Sequence, residues 1–134
     1  MGTNNTQTVQ DIYAAFGRGD VPAILARLAD DVEWEYGPRT TDAPWLQPRR
    51  GRDAVAGFFE ALGLLEITKF NPHTFLESGD TVVALIDLDG TVKATGKSIA
   101  DSEEIHIWHF ASDGKVARYR HGDRHLHHTA YKGS

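Results

Sequence analysis

Residues 103–123 read EEIHIWHFASDGKVARYRHGD, two runs rich in β-branched and aromatic residues parted by Ala111-Ser112-Asp113-Gly114. Asp-Gly supplies the residue that tolerates positive φ, so Glu103 to Phe110 and Lys115 to Asp123 are predicted to be the arms of a β-hairpin. Side chains alternate faces along a strand, which sets Glu104, His106 and Trp108 in one row and Tyr119, His121 and Asp123 in another. With both rows inward, two imidazoles, a phenol and a carboxylate meet among aromatic rings. Such a set is costly to bury without partners and points to a small-molecule pocket more than to a core. His109, Arg118 and Arg120 fall on the opposite face, where contact with solvent or with a second subunit is expected.

Upstream of this hairpin the chain reads as helices first and strands later. Val9, Ile12, Tyr13 and Phe16 recur at helical spacing, predicting an amphipathic helix over Thr6 to Phe16 that ends at Gly17 and Gly19. Asp20 is predicted to cap a second helix with Pro22 in its first turn and Ile24, Leu25 and Leu28 inward. Val32, Trp34 and Tyr36 alternate with Glu33 and Glu35 as a strand. The Pro-rich stretch from Gly37 to Gly51 reads as a loop holding Trp45 and Leu46, and its Arg49, Arg50 and Arg52 as a solvated cluster. A third helix follows, with Asp53 as its expected cap and Val55, Phe58, Phe59 and Leu62 on its buried face. Strands are predicted over Leu65 to Phe70, Thr74 to Leu76, Thr81 to Leu88 and Thr91 to Thr95, with turns at Asn71-Pro72, Gly79-Asp80 and Asp89-Gly90. The implied fold class is α+β, helices covering one face of a curved, mostly antiparallel sheet.

Composition bounds the function. The chain has 134 residues, of which 40% are apolar and 25% charged. One domain of this size buries roughly two thirds of its unfolded surface around a single core. A net charge of −5 argues against nucleic acid or anionic lipid as a general partner, and no apolar run is long enough for a membrane span. The absence of cysteine excludes disulfides, thiolate metal sites and a cysteine nucleophile, and fits a reducing, cytoplasmic setting. Met1-Gly2-Thr3-Asn4-Asn5-Thr6 formally matches a myristoylation pattern and a glycosylation sequon, but reads more simply as a frayed terminus running into a helix cap. The tail from His121 to His128 holds four histidines and a carboxylate at a spacing that matches no strong metal pattern. Phosphate loops, nucleophile elbows and dinucleotide fingerprints are absent, and no cofactor is expected.

Three segments carry a resemblance: VQDIYAAFGRGDVPAILARLADDVEWEYG, RGRDAVAGFFEAL and the closing hairpin. They resemble the NTF2-like superfamily, in its SnoaL-like and ketosteroid-isomerase-like branch, over nearly the whole chain. The resemblance implies a cone of three helices and a strongly bent sheet, an apolar pocket at the open end, and a homodimer built on the convex face of the sheet. It specifies the reaction poorly, since the superfamily includes isomerases, cyclases, hydrolases, dehydratases and binding modules. Matching the segments places the ketosteroid isomerase tyrosine donor at Ile12, one residue before Tyr13, and its aspartate base at Tyr36, so authentic steroid isomerisation is not expected. The isomerase's second donor falls at His106. The polyketide cyclases are more similar there, with a histidine on the same strand; their catalytic aspartate falls at His121, two residues before Asp123. The arginine of the epoxide hydrolases has no secure counterpart.

Two readings follow. In the first, the chain is a cofactorless enzyme performing isomerisation, cyclisation or hydration on an apolar small molecule. Asp123 or His121 is then the base, and His106 with Tyr119 polarises the oxygen on which charge develops. In the second, the same groups only orient a bound hydrophobic ligand. Either way Tyr13, Phe16, Trp34, Tyr36, Trp45, Phe58, Phe59 and Trp108 are the expected pocket wall, suited to aromatic or terpenoid-sized molecules rather than sugars or nucleotides.

Overall fold

A computed structural model describes residues 5–35, 45 and 47–121, with the backbone alone at 101–103 and 121. Tyr36, Leu46, Asp123, the four-residue leader and the histidine tail beyond His121 lie outside the described residues.

Helix α1, Asn5–Arg18, buries Val9, Ile12 and Ala15 along one stripe. It runs through Gly17 and stops at Gly19, whose φ of 70° carries the left-handed turn. There Gly19 donates to the Phe16 carbonyl and Asp20 to the Ala15 carbonyl, the paired bonds of a Schellman end. Asp20 then caps the short helix α2, Val21–Leu25, its Oδ1 accepting from the Ala23 amide at 3.2 Å. Strand β1, Leu28–Trp34, begins earlier than expected and already contains Leu28. The arginine cluster is not simply a solvated loop: Arg49–Arg50 form a two-residue strand, β2, paired antiparallel to Glu33 and Trp34. Helix α3, Arg52–Ala61, is preceded by Gly51 at φ 89°, so Asp53 lies in its first turn rather than at its cap, where a carboxylate still favours the helix dipole. A 3₁₀ turn, Leu62–Leu64, leads into the sheet.

The remaining strands are β3, Leu65–Ser78, β4, Thr81–Val92, β5, Ser98–Phe110, and β6, Val116–His121. Two expected turns are instead continuous strand. Asn71-Pro72 sits inside β3, opposite Asp87 and Ile86. Because β3 is the sheet edge, the missing proline N–H removes no central bond, and a register shift after Pro72 absorbs its geometry. Asp89-Gly90 lies inside β4, where the glycine admits a close backbone: a Cβ there would stand 2.9 Å from the Glu66 carbonyl oxygen. The predicted strand to Thr95 ends at Val92.

The strand order is β2-β1-β6-β5-β4-β3, antiparallel except between β1 and β6. This is an α+β architecture with a curved, unclosed sheet, as expected. The helices lie over its inner face, and the core between them takes Val9, Ile12, Trp34, Val55, Phe58 and Trp108. No helix among the described residues is long and apolar enough to cross a membrane.

Candidate functional site

Between the helices and the inner sheet face lies an open-mouthed cavity whose space, about 570 Å³, is continuous with solvent. Its wall holds Tyr13, Phe16, Trp34, Trp45, Phe58, Phe59, Trp108, Tyr119 and His106, which is every predicted site residue whose side chain is described. Strand alternation puts β5 and β6 to work as read: Trp108 pairs with Tyr119 and His106 with His121 across the hairpin. Tyr119 packs between Trp34 and Trp108, with ring centroids 4.2 and 4.4 Å away. Trp45, stranded in a proline-rich loop in the sequence, is fully buried against the cavity.

Four of the polar side chains form a single chain inside this aromatic shell. Trp108 Nε1 donates to the Tyr13 hydroxyl at 3.1 Å, the hydroxyl stands 2.7 Å from His106 Nδ1, and His106 Nε2 stands 2.7 Å from Glu104 Oε2. Glu104 and His106 are 2% and 4% exposed, so this is a desolvated pair whose attraction is little screened by water. With a neutral imidazole and an ionised Glu104, one arrangement satisfies these three contacts: Tyr13 O–H donates to Nδ1, and Nε2–H donates to the carboxylate. One added proton on the pair reverses the first bond. His106 Nδ1–H then donates to the Tyr13 oxygen, which already accepts from Trp108, and the phenolic hydrogen is released toward the cavity.

Both cavity tyrosines stay protonated. Burial pushes the Tyr13 phenol well above its usual range, the Trp108 N–H bond pulls it back, and the Glu104 carboxylate pushes it further up. Tyr119 is raised by burial, then by the charge of Glu35, by that of Tyr13 once ionised, and by that of Glu104. Glu35 itself is fully buried and holds a positive φ of 55° at the end of β1.

Sequence reasoning placed Glu104 in the inward row without giving it a role; its position two residues before His106 was the available signal. It also treated Tyr13 as wall, because the residue is one step from the resembled donor at Ile12. Ile12 and Tyr13 both reach the cavity, and the phenol is thereby retained. No group of three or more metal-ligating side chains occurs among the described residues.

A family model described as a SnoaL-like domain matches residues 9–119. The chain belongs to the SnoaL-like family. Its fold is shared with an NTF2-like protein of unknown function from Burkholderia pseudomallei, 30% identical, covering 90% of each chain with a TM-score of 0.76. The SnoaL-like chain also superposes on TerC, co-crystallised with polyporic acid, at 22% identity and a TM-score of 0.77, over 97% of this chain and 99% of TerC. A Mycobacterium tuberculosis protein in complex with estradiol-17β-hemisuccinate is similar at 19% identity and a TM-score of 0.67, covering 91% of this chain and 95% of that one. Comparison with curated proteins finds no match.

Proposed function

We propose that this SnoaL-like protein is a cofactorless acid/base enzyme that isomerises, cyclises or hydrates an apolar ring compound. The observation that carries the reading is the Glu104–His106–Tyr13 chain ending in an aromatic cavity. In the protonated pair, Tyr13 passes its hydrogen to a ligand oxygen while receiving one from His106 Nδ1, so the phenol is never left ionised in a site that disfavours it. The chain then stands in its other arrangement, with Tyr13 O–H turned to Nδ1 and Nε2–H held by Glu104. His106 thus acts through Tyr13, and Tyr119 is a second neutral phenol in the wall. Proton delivery by a positioned group of this kind contributes on the order of a hundredfold to ten-thousandfold in rate. For removal of a carbon-bound proton we assign Asp123 or His121; the support is sequence alternation and the pairing of the His121 backbone with His106. The aromatic wall, and the ring compounds bound by the two similar proteins, support an aromatic or terpenoid-sized ligand rather than a sugar or nucleotide.

A homodimer through the outer sheet face belongs to the same proposal. Its support is a cross-strand row of Leu76, Val83 and Ile107 on that face, with Leu76 61% exposed. A chain without cysteine suits the cytoplasm.

One observation favours a binding module instead: both imidazole nitrogens of His106 already have partners. Exchange of the carbon-bound protons of β-tetralone in deuterium oxide separates the two. The enzyme reading expects the protein to accelerate exchange and Tyr13→Phe to abolish the acceleration. Binding of β-tetralone with exchange no faster than in buffer supports the binding module and overturns the enzyme.

A further inference from the structure

Trp108, Tyr13, His106 and Glu104 occupy one another's hydrogen-bonding groups. Trp34 is different. It is 2% exposed and lines the same cavity, yet its Nε1 has no hydrogen-bond partner. Its surroundings are rings: the centroids of Tyr119, Phe58, Trp108 and Phe59 lie 4.2, 5.2, 5.8 and 6.1 Å away. An indole N–H sealed in this way has lost its water and gained no acceptor, a state that native cores hold rarely. Apolar binding cavities, in contrast, carry a few polar groups that fix a ligand's orientation.

Resting on the reading of the cavity as a site for apolar ring compounds, we propose that Trp34 determines specificity. Its Nε1–H donates to a carbonyl oxygen of the bound ring compound, the rings that seal it parting as the compound enters. The Trp108 ring lies 5.8 Å from both the Tyr13 and the Trp34 rings, so both donors belong to rings packed on the same indole. A ligand that engages both donors carries two oxygen-bearing positions, one meeting Tyr13 and one held by Trp34. A hydrocarbon of the same shape fills the cavity but leaves the Trp34 donor orphaned. That is how a site built around a hydrogen bond rejects an analogue lacking the partner group.

Two probes of matched shape test this: methyl β-naphthyl ketone and β-ethylnaphthalene. The chain has three tryptophans, so heteronuclear NMR of the full-length protein resolves three indole N–H signals, assigned through bonds in the wild type. The ketone is expected to move the Trp34 signal downfield and the hydrocarbon to leave it in place, with the ketone bound roughly tenfold more tightly. Trp34→Phe should erase that preference, whereas Tyr13→Phe should retain it. The wild-type shift stands as a test whether or not Trp34→Phe folds. A Trp34 signal unmoved by bound ketone, or a ketone preference surviving in folded Trp34→Phe, overturns the assignment alone. Failure of both probes to bind overturns the reading of the cavity and this assignment with it.

Discussion

The two faces of β5 invert the usual order of a sheet with one wet side. Inward stand Glu104, His106 and Trp108, all buried; outward stand Ile105, Ile107 and His109, all half-buried. An antiparallel strand with one solvated face ordinarily keeps its apolar residues in and its polar ones out. Here the interior holds a carboxylate and an imidazole, tolerable because each has a partner within hydrogen-bonding distance. The exterior continues apolar across the sheet, Leu76 facing Val83 and Val83 facing Ile107, until Arg120 ends the row on β6. The inversion separates the two proposed uses of one strand: the inner row for chemistry in the cavity, the outer row as the surface for a second copy.

The contrast is most sharply strained by removing Glu104. Glu104→Ala leaves His106 buried beside an empty acceptor position, and breaking a desolvated pair of this kind costs about 3–5 kcal/mol. Ile107→Ala, the same truncation one face over, should cost about 1 kcal/mol or less, since the side chain is already part exposed. Urea unfolding of the two variants measures the difference; equal losses would dissolve the distinction between the faces.

Tyr13→Phe is next in size. It deprives Trp108 Nε1 of its acceptor and His106 Nδ1 of its neighbour, an expected loss of about 1–3 kcal/mol. It should also lower the β-tetralone exchange rate by on the order of a hundredfold. A variant that loses stability but exchanges protons at the wild-type rate would make the phenol a structural bridge.

Alkaline titration reaches the inner face without mutation. The chain has four tyrosines, and burial raises the phenols of Tyr13 and Tyr119. Their folded values lie above their unfolded ones, so their contribution to stability is complete below the unfolded tyrosine range. It is lost as pH climbs from that range toward the folded values. Ultraviolet titration should therefore show these two ionising only with unfolding, and stability falling above about pH 10. Ionisation of all four in one transition before the fold is lost would mean that the cavity is wet.

The smallest effect on folding belongs to the outer row. Ile107→Lys should change monomer stability by about 0.5 kcal/mol while halving the mass seen by light scattering, because a lysine in the apolar row opposes pairing of two copies. A wild-type monomer at micromolar concentration would remove the proposed dimer.

Much of this was legible in the chain because alternation is a geometric rule: once Asp113-Gly114 fixes the hairpin, the faces of His106, Trp108 and Tyr119 follow. Gly114 does adopt φ 83°. The errors came from residues with two physical uses. Pro72 and Gly90 read as turns because local sequence does not reveal that one sits on a sheet edge and the other beneath a neighbouring backbone. Asp53 read as a cap because Gly51 reaches the same helix start through its backbone conformation. The role of Glu104 depends on Tyr13 arriving from α1, a contact across 93 residues between Tyr13 and His106 that no local pattern encodes.

The central claim is that Glu104, His106 and Tyr13 form one proton path, and the ring nitrogens of His106 report on it directly. Heteronuclear NMR of the imidazole should find Nε2 carrying hydrogen throughout the pH range in which the protein is folded, with Nδ1 gaining its proton as pH falls. Glu104→Gln should displace that titration, since the imidazolium loses its carboxylate partner. An imidazole that titrates identically in wild type and Glu104→Gln, or that carries its neutral-state hydrogen on Nδ1, would contradict the path.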